Sequence, residues 1–231
     1  MKTIGMIGGM SWESTIPYYR TINETIRARL GGLHSAKILL YSFDFEEIAH
    51  LQRSGDWDTA GFRLAASARS LQTAGADFLI LCTNTMHKVA PIIEAAVTIP
   101  LLHIADIAGA EIKKAGHSAI GLMGTRFTME ESFYRERLKL RFGLDVVVPD
   151  ESDREIVNRV IFDELCRGIT SVDSRAEYRR IMGSLAMQGA QAILLGCTEI
   201  SLLVNQEDSP VPLFDTTTLH GRAAAEFALS P

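Results

Sequence analysis

The segment Gly75-Ala76-Asp77-Phe78-Leu79-Ile80-Leu81-Cys82-Thr83-Asn84-Thr85 returns 114 residues later as Gly189-Ala190-Gln191-Ala192-Ile193-Leu194-Leu195-Gly196-Cys197-Thr198-Glu199. Both copies follow a helix-like stretch carrying Ser-Leu, at Ser70-Leu71 and Ser184-Leu185. Two further pieces recur in the same order. Ile4-Gly5-Met6-Ile7-Gly8 reappears 116 residues on as Ile120-Gly121-Leu122-Met123-Gly124, and Ile99-Pro100-Leu101 reappears 112 residues on as Val211-Pro212-Leu213. Three ordered matches at nearly one separation mark a duplication, so the fold is one that can be built twice within 231 residues. The expected division is a first domain of residues 1–98 with 212–231 and a second of residues 99–211. The segments after Pro100 and Pro212 then cross between them.

Each half reads as strands alternating with amphipathic helices. The strand candidates are Thr3–Ile7, Ala36–Phe43, Phe78–Cys82, Leu101–His103, Ala119–Met123, Asp145–Val148, Ala192–Leu195 and Val211–Phe214. Several are unbroken apolar runs bounded by Gly or Pro, as expected of strands buried on both faces of a parallel sheet. The clearest helical stretches are 64–72 and 176–188. This is the pattern of an α/β chain with two pseudo-symmetric open parallel-sheet domains, which bind ligands at the carboxyl ends of the strands. The expected active site is the cleft between the halves.

Composition removes several classes of function. A net charge of −5, with no basic face or arginine-rich tail, argues against nucleic acid as a partner. Three cysteines without a C-x-x-C pair argue against a disulfide framework or a zinc site, and fit a reducing compartment. The six histidines, at 34, 50, 87, 103, 117 and 220, have no metal-ligand spacing, so no metal is expected. No secretory leader and no apolar run of about 18–20 residues is evident, so a cytoplasmic protein without a membrane partner is expected.

The repeat carries the chemistry. Thr83 and Cys197 fall at equivalent strand-to-helix turns, and two such side chains approaching a ligand from opposite sides suit inversion at a carbon centre. One removes a proton from one face while the other delivers a proton to the opposite face. Thr198–Leu203 reads as a first helical turn, whose N-terminus would draw the Cys197 thiol down from ~8.5 toward the thiolate. The other reading of Cys197 is an inert core thiol, which is also the expectation for Cys166. His87, four residues after Thr83, is either a neighbour of the site or a structural residue. The turn Gly5-Met6-Ile7-Gly8-Gly9-Met10-Ser11 lacks the dinucleotide spacing, and is either a carboxylate cradle or a tight turn. Asp44–Glu47 reads as a solvated helix start. Met10, Trp12 and Tyr18-Tyr19 read as core or cleft wall.

Four motifs in order then resemble the aspartate/glutamate racemase family: Gly8-Gly9-Met10-Ser11-Trp12-Glu13-Ser14-Thr15; Asp44-Phe45 with Gln52 and Gly55-Asp56-Trp57; Thr83-Asn84-Thr85-Met86-His87; and Gly196-Cys197-Thr198-Glu199. They span essentially the whole chain, and are most similar to the enterobacterial aspartate/glutamate and broad-specificity amino-acid racemases. The resemblance implies a cofactor-free racemase of free amino acids (independent of pyridoxal phosphate), usually homodimeric, with one cysteine on each side of the substrate Cα. It implies that Cys197 is one catalytic residue. It also implies that Asn84, Thr85, Thr198 and Glu199 bind the amino and carboxylate groups, with Met10 and Gln52 lining the cleft.

One departure is informative. The family's Cys-Asn-Thr is here Thr83-Asn84-Thr85, and Cys82 lies one position early. Adjacent strand residues point to opposite faces, so Cys82 should face away from the site, leaving an asymmetric Thr83/Cys197 pair. A hydroxyl is a weaker acid than a thiol, so turnover should favour one enantiomer, L by resemblance. Single-cysteine relatives also suggest a decarboxylase or a hydantoin-type racemase. The missing cysteine equally suggests a degenerate amino-acid-binding protein. Arg126, after the second glycine turn, is either a partner for a distal carboxylate or a surface residue.

Overall fold

Eight strands form two four-stranded, wholly parallel sheets in the computed structural model, which describes all 231 residues. The first unit runs β1 (Ile4–Gly8), α1 (Trp12–Leu30), β2 (Ile38–Ser42), α2 (Phe45–Ser54), α3 (Trp57–Thr73), β3 (Phe78–Leu81), α4 (Ala90–Glu94) and β4 (Leu101–Leu102). The chain continues through α5 (Ile104–Lys114), β5 (Ala119–Gly124), α6 (Arg126–Glu130), α7 (Ser132–Phe142), β6 (Asp145–Val147), α8 (Glu151–Asp163), α9 (Val172–Met187), β7 (Ala192–Gly196), β8 (Leu213–Asp215) and α10 (Thr216–Leu229). Every expected strand is present, with no end displaced by more than two residues.

The sheet orders are β2-β1-β3-β4 and β6-β5-β7-β8, the same arrangement twice. Register repeats as well. Ile4 faces Phe78 in the first sheet and Ile120 faces Ala192 in the second, the partners displaced by 116 and 114 residues. Leu79 faces Leu101, and Ile193 faces Leu213. The three sequence offsets are therefore the offsets of three neighbouring strands. Gly75 and Gly189, which close the helices before β3 and β7, take φ of 98° and 100°, a conformation that side chains disfavour.

The structure divides the chain later than the expected 98/99 and 211/212. One unit is Met1–Ile104 with His220–Pro231, and the other is Ala105–Leu219. Hydrogen bonding sets the difference. β4 completes the first sheet against β3 and β8 completes the second against β7, so each fourth strand stays with its own sheet. The unit boundaries then fall in the first turns of α5 and α10.

Burial explains the apolar runs. Along β3, Phe78, Ile80 and Cys82 enter the core beneath α1 and α10, while Leu79 and Leu81 enter the core shared with α2 and α3. Both faces are covered, so both parities must be apolar. In the second unit Ile193, Leu195 and Cys197 share a core with Val157, Val160 and Ile161 of α8 and with Tyr178, Ile181, Met182 and Leu185 of α9. Asp44, Asp56, Asp150 and Ser171 cap α2, α3, α8 and α9 by accepting backbone N–H bonds. Asp44–Glu47 is thus the start of α2. Trp12 and Tyr19 lie exposed on α1, and only Met10 and Tyr18 of the aromatic and methionine set expected inside are buried.

Candidate active site

Parallel strands bring their carboxyl ends to one edge of each sheet. At that edge in the first unit stand Met10, two residues past β1, and Thr83, two residues past β3. Asn84 and Thr85 follow, both buried, and a short 3-10 turn covers Thr85–Val89. Gln52 comes in from the last turn of α2, with its Nε2 3.0 Å from the Met86 Sδ. Met10 and Met86 share one core cluster with Leu51, Gln52's neighbour in the chain. Met10, Gln52, Thr83, Asn84 and Thr85 therefore gather at one end of this unit. Cys82 does not join them; it is fully buried in the core beneath α1, and desolvation pushes its thiol far up.

His87 fastens this end. Its Nδ1 is 2.7 Å from the Thr83 carbonyl oxygen, and its Nε2 accepts the Ile104 N–H at 3.2 Å. An N–H donated to Nε2 requires a lone pair there, so Nδ1 carries the proton and donates to Thr83. The ring ties the turn after β3 to the start of α5, a structural task. Its neighbour is the His103 ring, 4.4 Å away between centroids.

The equivalent end of the second unit holds Cys197, Thr198 and Glu199, each buried. The Cys197 thiol donates to Glu199 Oε2 at 3.0 Å, and the Thr198 hydroxyl donates to the same oxygen at 2.9 Å. Burial pushes the thiol well above its ordinary value, and the Glu199 carboxylate pushes it further. The expected lowering by a helix N-terminus does not occur, because no α-helix forms there. The Thr198 carbonyl, which an α-helix would offer to the Leu202 N–H, accepts the Thr217 hydroxyl at 3.3 Å. Leu202 N–H turns to the Glu199 carbonyl, giving a 3-10 turn over Ile200–Leu202.

Thr216 and Thr217 were not singled out in the sequence. Both are buried at the start of α10, and the Thr216 hydroxyl donates to the Leu195 carbonyl at 2.8 Å. Threonines thus do for the turn after β7 what His87 does for the turn after β3. The signal was there as the polar run Asp215-Thr216-Thr217-Thr218 directly behind an apolar strand. Cys166 occupies a 3-10 turn, Leu165–Arg167, and packs half-buried against the Cys197 core. Arg126 is exposed at the first position of α6, with its N–H on Asn158 Oδ1. The Gly9 N–H, one candidate donor of the glycine turn, is held by the Thr15 hydroxyl at 2.9 Å.

The duplicated α/β unit thus carries a buried thiol–carboxylate pair at one strand end and a threonine at the matching end of its copy. The chain belongs to the Asp/Glu/hydantoin racemase family, whose model matches residues 7–224. That places it among racemases, enzymes of the isomerase class. It is 59% identical to a proposed Asp/Glu racemase of Yersinia pestis whose crystal structure superposes with a TM-score of 0.92, all of both chains being covered. An aspartate racemase homologue of Pyrococcus horikoshii OT3 is 34% identical over all of both chains, with a TM-score of 0.85. The broad specificity amino-acid racemase RacX of Bacillus subtilis is 24% identical over 220 residues, which is 93% of this chain and 92% of that one.

Proposed function

We propose that the protein racemises free amino acids, aspartate, glutamate or a broader set, without a cofactor, through an asymmetric Thr83/Cys197 pair. The supporting observation is parity. Thr83 continues the Leu79, Leu81 series of β3, and Cys197 continues the Ile193, Leu195 series of β7, so the two residues hold the same place in the two copies. Relatives named as racemases of aspartate or of many amino acids support the substrate class.

In this reading Cys197 removes the α-proton as a thiolate, and a carbanion forms at Cα. Thr83 donates its hydroxyl proton to the opposite face and regains one from water, while Cys197, whose own proton left to water through Glu199 as the thiolate formed, keeps the α-proton and is a thiol again. The resting thiol is protonated, because a buried thiolate beside the Glu199 carboxylate would place two negative charges 3.0 Å apart. A substrate ammonium near Glu199 offsets that repulsion, so the thiolate forms when an amino acid is present. Asn84, Thr85 and Thr198 hold the substrate's polar groups, and Met10 and Gln52 limit the space for its side chain. A homodimer acting in the cytoplasm completes the reading.

The test follows solvent deuterium into Cα for each enantiomer separately, with malonates and hydantoins assayed beside the amino acids. Exchange faster for one enantiomer and absent in Cys197→Ala is the expected result. Equal exchange of both enantiomers that survives Cys197→Ala refutes the pair, and turnover confined to malonates or hydantoins refutes the substrate class.

A further inference from the structure

One cation at the carboxyl edge of the first sheet takes no part in the proton transfer. Lys88 is half-buried on the 3-10 turn Thr85–Val89, the segment that follows Thr83 and Asn84. Its Nζ lies over the Trp57 ring, 3.9 Å from the centroid. Trp57 opens α3 and packs against the core cluster that holds Met10, Leu51 and Met86, so the ring is a fixed platform. An ammonium over an indole face is attracted by the ring quadrupole and keeps N–H groups with which to donate elsewhere. Holding the long stem against the ring also removes rotamer freedom that a loose lysine would lose on meeting a ligand.

The turn sets where this charge sits. In a 3-10 helix, side chains three residues apart eclipse each other and each residue rises about 2.0 Å, so Lys88 shares one face with Thr85, about 6 Å along the axis from it. Gln52 supplies a second donor. It is 4% exposed, and one N–H of its amide meets the Met86 sulfur at 3.0 Å, a weak acceptor. The other N–H of Nε2 is left for a ligand, and Met86 lies two residues before Lys88 on the same short turn. An ammonium and an amide N–H on one side of Thr85 suit a carboxylate, which accepts from both and carries the opposite charge.

We propose that Lys88, propped on Trp57 and assisted by Gln52, receives the side-chain carboxylate of the substrate and makes the protein prefer acidic amino acids to neutral ones of the same shape. The inference rests on the amino-acid racemase reading for the α-carbon end of the substrate, and it decides between the acidic and the broader substrate set. Arg126, the cation that the sequence offered for a distal carboxylate, is exposed at the start of α6.

Calorimetric titration of the full chain with L-glutamate and with L-glutamine, its neutral amide, reads this preference without turnover. Wild type is expected to bind L-glutamate about 10–100-fold tighter, the range for one charge-assisted hydrogen bond. Lys88→Met keeps an apolar stem against Trp57 and should bring the two ligands to within about threefold of each other. Lys88→Arg keeps the cation and should retain a preference of about tenfold or more, which a variant that had merely lost packing would not do. In deuterium exchange at Cα, the ratio of kcat/KM for the two amino acids should fall in Lys88→Met by the same factor. Wild type that binds both ligands equally, or Lys88→Met that keeps the preference, overturns the role of Lys88. A preference that follows the Lys88 cation in a protein that exchanges Cα of no amino acid overturns the racemase reading and leaves the carboxylate site standing. Binding of neither ligand overturns both.

Discussion

His220 lies at the foot of α10, fully buried, with its Nε2 2.8 Å from the Leu102 carbonyl oxygen and its Nδ1 3.0 Å from the Tyr18 hydroxyl. Nε2–H donates to Leu102, which leaves Nδ1 to accept from Tyr18, so the neutral ring is fully bonded. Burial drives its pKa down from 6.5 to about 4, against a smaller upward pull from the Leu102 carbonyl. Between those two values the unfolded chain takes up a proton that the folded chain refuses, so stability rises with pH across this window. The contribution is complete above 6.5 and is lost as the pH falls toward 4. At 1.36 kcal/mol per pH unit, the gap makes about 3 kcal/mol by pH 4.

The assay is urea unfolding of wild type and His220→Asn at pH 7.5, 6, 5 and 4. Trp12 and Trp57 both lie in the unit that holds His220, so tryptophan fluorescence reports that unit's unfolding. The variant should start about 1–2 kcal/mol less stable, from poorer hydrogen bonding. Wild type should then lose about 3 kcal/mol more than the variant on going to pH 4, so the two curves cross. Curves that stay parallel from pH 7.5 to pH 4 refute the argument, because carboxylates titrating elsewhere act equally on both proteins.

Glu199→Gln removes the negative charge beside Cys197, so the thiol's pKa should fall and iodoacetamide should label Cys197 several-fold faster at pH 8, read by peptide mass spectrometry. Slower labelling than wild type would refute the repulsion. Thr83→Cys supplies the missing thiol, and deuterium exchange of the disfavoured enantiomer should rise at least tenfold in a chiral assay. Thr216→Val leaves the Leu195 carbonyl without its hydroxyl donor at a fully buried position and should cost about 1–2 kcal/mol in urea titration. If the turn after β7 matters to chemistry, kcat in that variant should fall with it while Thr218→Val, a half-buried residue whose hydroxyl bonds Asp215 and not that turn, stays near wild type.

Much of the fold was legible because strands covered on both faces must be apolar at both parities, and β1, β3, β5 and β7 are. The offsets of 116, 114 and 112 residues between repeated strands could be read before any pairing was known, and they reappear as register. Parity alone separated Cys82 from Thr83, since one residue along a strand reverses the face. The unit boundaries were not legible. Ile99-Pro100-Leu101 and Val211-Pro212-Leu213 look like starts of new segments, and only their hydrogen bonds to β3 and β7 show them as the last strands of the old ones.

The sequence by itself determined a duplicated parallel α/β chain, the equivalence of Thr83 and Cys197, and the polar residues that follow each. Those are properties of period and position along one strand, and they survive without knowing what lies opposite. Only tertiary structure decided the state of the thiol. A cysteine ahead of a helix start reads as a thiolate, but the Thr217 hydroxyl takes the carbonyl that such a helix needs. Glu199 then turns back to accept the thiol's proton in a buried place. Protonation depends on burial and on the charges within a few ångströms, and although Glu199 is only two residues on, its approach to the thiol depends on a turn held by α10, 19 residues past Thr198.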